Sequence, residues 1–272
     1  MSQSIKNDFQ PKIIGIVTSE NLAHGEIWTA LVDCNLVEFR GDFWEPAEVL
    51  SALKKFRKEC QEKLKRDMEI LFTLRLKQDG GMWADELAHE REKIWLSMGL
   101  DKDKADCEWL DLEINQIPTY SEAFQQVLKN RQVKILASHH EFKRNFSFDE
   151  LTQMGLDLSS TNFDGVKLAV NCKTREEVVA LLEFAKATGL REKNACVLSM
   201  GNVGRTTRVL GPLLGCYWTY GYLLGKAVAP GQLSVQELKV FFAKARPQEL
   251  KQNRELMDLL LWAEASLPKD SV

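Results

Sequence analysis

The sequence predicts a single-domain α/β protein folded as a (β/α)8 TIM barrel, and three observations carry that prediction. Short apolar runs rich in β-branched and aromatic residues alternate with longer, charged stretches of helical periodicity. Eight such runs occur, and a chain of 272 residues suits the closure of eight β/α units into one barrel. At 44% hydrophobic and 28% charged, the composition provides for one large core, with no linker or low-complexity stretch to divide it.

In chain order the strand candidates are Lys12 to Thr18, Leu36 to Arg40, Glu69 to Arg75, Trp109 to Ile114, Val133 to His140, Gly165 to Val170, Ala195 to Gly201 and Leu213 to Gly221. Helix candidates lie between them. Pro46 to Cys60 has Pro at its start, and Thr174 to Ala187 has Glu177 at capping-box spacing from Thr174. Residues 1–11 read as a polar N-terminal extension. Residues 233–265 read as one or two C-terminal amphipathic helices, whose Leu238, Phe241, Phe242, Leu256, Leu259, Leu260 and Trp262 suit packing or dimer contacts. An open doubly wound sheet is the rival architecture. Against it, the first run leads into Glu20 and Asn21, with neither a dinucleotide-binding nor a P-loop glycine pattern behind it.

Several function classes are disfavoured. A net charge of −3 lacks the basic field that phosphate backbones require, so nucleic acid is not an expected partner. The apolar stretch Leu213 to Leu224 is short of the roughly 20 residues that span a bilayer. Met1 to Pro11 is polar and unlike a secretory signal, which points to the cytoplasm. The six cysteines (Cys34, Cys60, Cys107, Cys172, Cys196 and Cys216) include no C-x-x-C pair, so reduced buried thiols are expected, with neither disulfides nor a metal.

A barrel builds its active site at the carboxyl ends of its strands. There the runs end in Glu38-Phe39-Arg40, Thr73-Leu74-Arg75, Asp111-Leu112-Glu113, Ser138-His139-His140 and Ser199-Met200-Gly201. Because strand side chains alternate faces, Glu38 with Arg40, Thr73 with Arg75, and Ser138 with His140 can all point into the barrel mouth. In the sixth run Val166, Leu168 and Val170 take the helix-facing side, which leaves Lys167 and Ala169 facing inward. Burial disfavours an ammonium, and a free amine attacks carbonyl carbon, so an inward lysine suggests imine chemistry. A strand-end lysine can instead reach solvent or pair with a carboxylate, and a strand-end histidine can be a hydrogen-bonded structural group. His140, however, precedes Lys167 by one β/α unit and stands at the same end of the neighbouring strand. An ordinary imidazole, titrating near 6.5, suits both general base and general acid.

These residues resemble the type I 3-dehydroquinate dehydratase family over nearly the whole chain, from Lys12 to Gln232. Glu38-Phe39-Arg40 with Asp42 is similar to its second-strand motif, and Phe72-Thr73-Leu74-Arg75 with Gly80-Gly81 to its third. Asp111-Leu112-Glu113, Ser138-His139-His140-Glu141-Phe142 and Lys167-Leu168-Ala169 follow in order. Ser199-Met200-Gly201 with Gly204 and Arg208, and Ala229-Pro230-Gly231-Gln232, complete the series.

The resemblance implies syn dehydration of 3-dehydroquinate to 3-dehydroshikimate, a step of the shikimate pathway, through an imine on Lys167 with His140 as acid/base and no cofactor. It further implies that Arg208 and Gln232 hold the substrate carboxylate and that Glu38, Arg40 and Arg75 bind ring hydroxyls, although strand-end ion pairs are the bland reading of these charges. Asp111 and Glu113 look like support, with Glu113 or Glu38 orienting His140. Met200 either packs against substrate or Lys167 or fills core. A homodimer follows from family habit.

Two positions depart from the family pattern. Asp79 stands where Glu usually precedes Gly-Gly, and Val228 where Ser usually precedes the Ala-Pro-Gly-Gln motif, which removes a hydroxyl from the lid side of the pocket. Another lysine-imine barrel enzyme, such as a class I aldolase, would share Lys167 without needing Arg208 and Gln232. A silent homologue that senses a quinate-like ligand is the other alternative these departures raise.

Overall fold

Val, Ile, Leu and Phe dominate the apolar runs because a parallel sheet inside a barrel is buried on both faces. The computed structural model describes residues 11–34, 36–102, 105–142, 147, 149–151, 153, 163–187, 194–245 and 255–268. Residues 1–10 of the expected N-terminal extension and 246–254 of the expected C-terminal helices lie outside the described residues.

The first half of the chain forms β1 (Lys12–Val17), two short helices α1 (Ser19–Leu22) and α2 (Ile27–Leu31), β2 (Leu36–Arg40), α3 (Val49–Leu64), β3 (Glu69–Thr73), α4 (Glu90–Ser97), β4 (Trp109–Glu113) and α5 (Glu122–Asn130). The second half adds β5 (Lys134–Glu141), β6 (Gly165–Val170), α6 (Arg175–Ala187), β7 (Asn194–Ser199), α7 (Thr207–Leu213), β8 (Trp218–Tyr222), β9 (Leu233–Ser234), α8 (Val235–Lys244) and α9 (Leu256–Ser266). Every strand pairing is parallel, in the order β7-β6-β5-β4-β3-β2-β1-β8-β9. At the seam β7 lies against β8, and the curled sheet with its outer helices is an α/β barrel.

Three expectations needed adjustment. The run Leu213 to Gly221 is not one strand: α7 continues through Leu213, the chain turns at Gly215, and β8 begins only at Trp218. A ninth, two-residue strand pairs with the end of β8, and its Ser234 then caps α8 in a reciprocal capping box with Glu237. The helix expected from Pro46 starts at Val49 and ends on Lys65 in the left-handed region. The C-terminal apolar residues serve packing: α8 lies against β1, β8 and β9, and α9 against α6 and α7, with Arg175 forking onto Glu264.

The strand period of two sorts the interior into layers, each built from alternate strands. From the even strands, Leu36, Trp109, Gly165 and Trp218 form the floor. Glu38, Asp111, Lys167 and Tyr220 come next, and Arg40, Glu113 and Ala169 stand above them. The Trp109 and Trp218 rings meet edge to face with centroids 4.8 Å apart, closing the barrel beneath the charged layer.

Under that floor Glu69 accepts hydrogen bonds from Lys12 Nζ at 2.7 Å and Trp109 Nε1 at 2.6 Å. Burial opposes its ionisation, but the Lys12 and Trp109 bonds outweigh burial and hold the carboxyl below its usual range. A carboxylate whose pKa falls on folding stabilises the fold above the unfolded value near 4.3 and loses that contribution as pH drops through the folded pKa. Glu69→Gln is therefore expected to lower unfolding stability by about 1–2 kcal/mol at pH 7, with the deficit shrinking below about pH 4. Urea melts of both proteins at the two pH values check this; a deficit that does not change with pH contradicts it.

Candidate active site

Lys167 sits in the second layer because β6 alternates, with Val166, Leu168 and Val170 packed outward against the helices and Ala169 inward. The side chain is 8% exposed as a residue, with Nζ 3.7 Å from Glu38 Oε1 and 4.1 Å from the centroid of the Tyr220 ring. Glu38 also accepts from Thr73 Oγ1 at 2.9 Å. Burial works against its charge, yet Lys167, Arg40 and Arg75 together with the Thr73 bond keep the carboxyl ionised below its usual range. The amine thus rests between a carboxylate and a π face, each suited to a positive nitrogen.

His140 stands one layer nearer the mouth. The register pairs Lys167 with Ser138 and His140 with Ala169, so one β/α unit of spacing brings the two to the same end but not to the same level. Behind the ring, Nδ1 lies 2.6 Å from Glu113 Oε1 and 3.1 Å from the Arg75 guanidinium, which Glu113 also contacts. Arg75 donates to Asp111 Oδ2 at 2.8 Å and to Ser138 Oγ at 3.0 Å, and Ser138 donates to Asp111 Oδ1 at 2.6 Å. Glu113, which only accepts when ionised, places the ring proton on Nδ1 and leaves the Nε2 lone pair for the cavity. Of the two carboxylates considered for orienting His140, Glu113 makes the contact and Glu38 turns to Lys167. Burial first, then the charges of Arg75, Lys167 and Arg40, push the imidazole well below its usual 6.5. An ordinary titration near 6.5 was expected; the buried ring is neutral instead.

The other expected site residues spread around the same mouth. Arg40 does not pair with Glu38; its fork takes Asp42 at 2.8 and 2.7 Å, and Asp42 Oδ2 also accepts the Met82 N–H at 2.9 Å. That clamp ties β2 to the Gly80-Gly81 turn, where a Cβ on Gly81 would stand 2.1 Å from the Arg75 carbonyl oxygen. Asp79 lines the cavity with Oδ2 held by Gln116 Nε2 at 2.7 Å, and burial raises its pKa. On the opposite side Arg208, 2% exposed, donates to the Gly231 carbonyl at 2.9 Å and has no carboxylate partner among the described residues. Burial depresses it to about 10. Gln232 accepts the Val228 N–H on Oε1 at 3.0 Å, which turns its amide nitrogen the other way. Gly231, at φ 71°, packs so closely on the Gly201 carbonyl that a side chain there would collide.

These groups surround one cavity that opens to solvent at the mouth of the barrel. Glu38, Arg40, Arg75, Asp79, His140, Lys167, Met200, Arg208, Val228 and Gln232 all line it, while Glu113 touches it only through His140. Sequence reasoning missed Tyr220, the Asp42 partner of Arg40 and the Gln116 partner of Asp79. Tyr220 was hidden inside an apolar run whose strand boundary was misplaced. Placing β8 to begin after Gly215 would have put Tyr220 on the inward face.

A family model described as Type I 3-dehydroquinase matches residues 14–245. A 3-dehydroquinate dehydratase of Clostridium novyi is 31% identical over 214 residues, which is 76% of this chain and 81% of that protein. One from Enterococcus faecalis is 28% identical over 234 residues, 84% of this chain and 90% of the relative. Among solved structures, the type I 3-dehydroquinate dehydratase of Clostridium difficile, crystallised with covalently modified comenic acid, aligns with a TM-score of 0.69 at 22% identity. That alignment covers 85% of this chain and 91% of the other and speaks for the fold. The match over most of the sequence, together with a relative at 31% identity, places the chain in the type I 3-dehydroquinase family.

Proposed function

We propose that this protein dehydrates 3-dehydroquinate to 3-dehydroshikimate, with Lys167 as covalent nucleophile and His140 as the group that moves the proton. The observation that carries the assignment of roles is one cavity that exposes a buried lysine amine and, one layer above it, a neutral imidazole.

The chemistry follows from what each group can do. Lys167 gives up a proton as its amine adds to the C3 carbonyl, and the same proton is returned to the carbinolamine hydroxyl, so that water leaves and a protonated imine remains. Glu38 and the Tyr220 ring face both favour that positive charge. The imine draws electrons from C2, and His140 Nε2 takes the C2 proton to form an enamine. The enamine then expels the C1 oxygen, and the imidazolium returns its proton to that oxygen, so that water leaves. Hydrolysis of the remaining imine frees the product and restores Lys167.

A histidine pushed well below 6.5 is a weak base but a strong acid once charged, which suits the second transfer. Glu113 at Nδ1 offsets the cost of the intermediate imidazolium. Arg208 is a buried guanidinium suited to the substrate carboxylate, and Gln232 presents its amide beside it. Glu38, Arg40 and Arg75 face the ring hydroxyls. Met200 packs in the inner cluster against which Val228 rests.

The reading extends to a single barrel domain acting as a homodimer in the cytoplasm. The six buried cysteine side chains, none joined in a disulfide, support a reducing compartment. No helix among the described residues is long and apolar enough to cross a membrane.

Borohydride added with 3-dehydroquinate is expected to fix a stable mass adduct on the peptide bearing Lys167; no adduct together with no turnover at high enzyme concentration sinks the reading. His140→Ala should still form the trappable imine while elimination slows by about 10²- to 10⁴-fold, and undiminished turnover would refute its role. Arg208→Lys, which keeps the charge but loses the fork, should raise KM by about ten- to a hundredfold with a smaller change in kcat. Steady-state kinetics decide this, and an unchanged KM counts against the carboxylate clamp.

A further inference from the structure

Tyr220 occupies the layer otherwise filled by Glu38, Asp111 and Lys167, and its ring lies under Lys167 Nζ. The π face accounts for an aromatic residue there but not for a hydroxyl, since phenylalanine would present the same face. Yet the side chain is 2% exposed, lines the cavity, and its Oη has no hydrogen-bond partner among the described residues. A buried, unpartnered hydroxyl costs free energy, and groups left so in native interiors call for a reason.

The carboxylates of that layer are engaged elsewhere. Glu38 accepts from Thr73 and faces Lys167, and Asp111 accepts from Arg75 and Ser138. Burial first, and then the negative charges of Glu38 and Asp111, raise the phenol well above its usual 10, with Arg75 opposing. The group therefore remains a proton donor at neutral pH. On the lid side, Val228 packs against the inner cluster that contains Tyr220 and offers no hydroxyl of its own.

We infer that Tyr220 is a specificity-determining residue, whose Oη donates a hydrogen bond to a ring hydroxyl oxygen of the bound substrate. A cyclic ketone bearing hydroxyls satisfies the phenol, whereas a deoxygenated analogue leaves it unpartnered in a buried site. The inference rests on the reading of this cavity as a 3-dehydroquinate site and names a group that discriminates within it.

Tyr220→Phe removes the oxygen and keeps the ring, so the test separates recognition from packing. The expected result is a KM about tenfold higher, kcat within about threefold, and a melting temperature equal to or above that of the wild type, because an orphaned polar atom has been deleted. The borohydride adduct on Lys167 should still form at saturating substrate. With analogues lacking the C4 or the C5 hydroxyl, the difference between wild type and Tyr220→Phe should vanish for one of the two. An unchanged KM, a melting temperature lowered by several degrees, or a difference that persists with both analogues overturns the assignment. Wild-type enzyme in the same assay distinguishes the two levels: no turnover by the wild type removes the reading of the site and this inference with it, whereas normal wild-type turnover with an indifferent Tyr220→Phe removes this inference alone.

Discussion

The barrel interior has to hold charge away from water, and most of the site follows from how that is managed. Lys167, Glu38, Asp111, Arg75 and Glu113 are all buried within two or three layers of side chains. An isolated ion there would be strongly disfavoured, so each needs opposite charge and satisfied hydrogen bonds. Arg75 is the hub, reaching Asp111, Ser138, Glu113 and the edge of His140 from a single guanidinium. Removing one member of such a network costs more than its own bonds, because the partners are left as uncompensated buried charges. That same coupling tunes the chemistry: burial first, and then the cations that hold Glu38 ionised, keep His140 neutral.

Rigidity of this kind has to be borne by the frame. Below the charged layer, Trp109 and Trp218 seal the barrel, and above it Arg40 through Asp42 fastens the Gly80-Gly81 turn to β2, while Arg208 fastens the Pro230-Gly231 loop to α7. Arg208 holds the Pro230-Gly231 loop through its Nε, and its fork meets no carboxylate among the described residues. In Asp79 the shorter carboxyl is drawn to Gln116, which Arg91 in turn holds at 2.5 Å, so this side of the pocket is braced by a chain of partly buried polar contacts from outside the barrel.

Much of this was legible from residue order. Alternation along β6 put Lys167 inward, alternation along β5 put His140 inward, and the β/α spacing put them at one end. Regular strands allow such inference because side-chain direction there is a local property. The boundaries failed where the local signal was mixed. Leu213 to Gly221 reads as one apolar run, although a helix ends, a turn intervenes and a strand begins inside it, and Tyr220 was overlooked as a result. A two-residue strand such as β9 is too short to leave any periodic trace. Arg40 looked suited to Glu38 because both share a strand face, yet the short 3₁₀ turn at Gly41–Phe43 brings Asp42 back under the guanidinium.

By itself, the sequence determined which side chains enter the barrel and at which end they gather, because the strand period and the β/α alternation are imposed residue by residue. Its motifs also indicated the reaction. The level at which each side chain sits, and therefore who touches whom, was decided only by the tertiary structure. Register between strands sets His140 one layer above Lys167, selects Glu113 over Glu38 behind the imidazole and lays Tyr220 beneath the amine. Those relations depend on the closure and stagger of the whole sheet, and burial there lowers the basicity of an imidazole and leaves a phenol without a partner among the described residues.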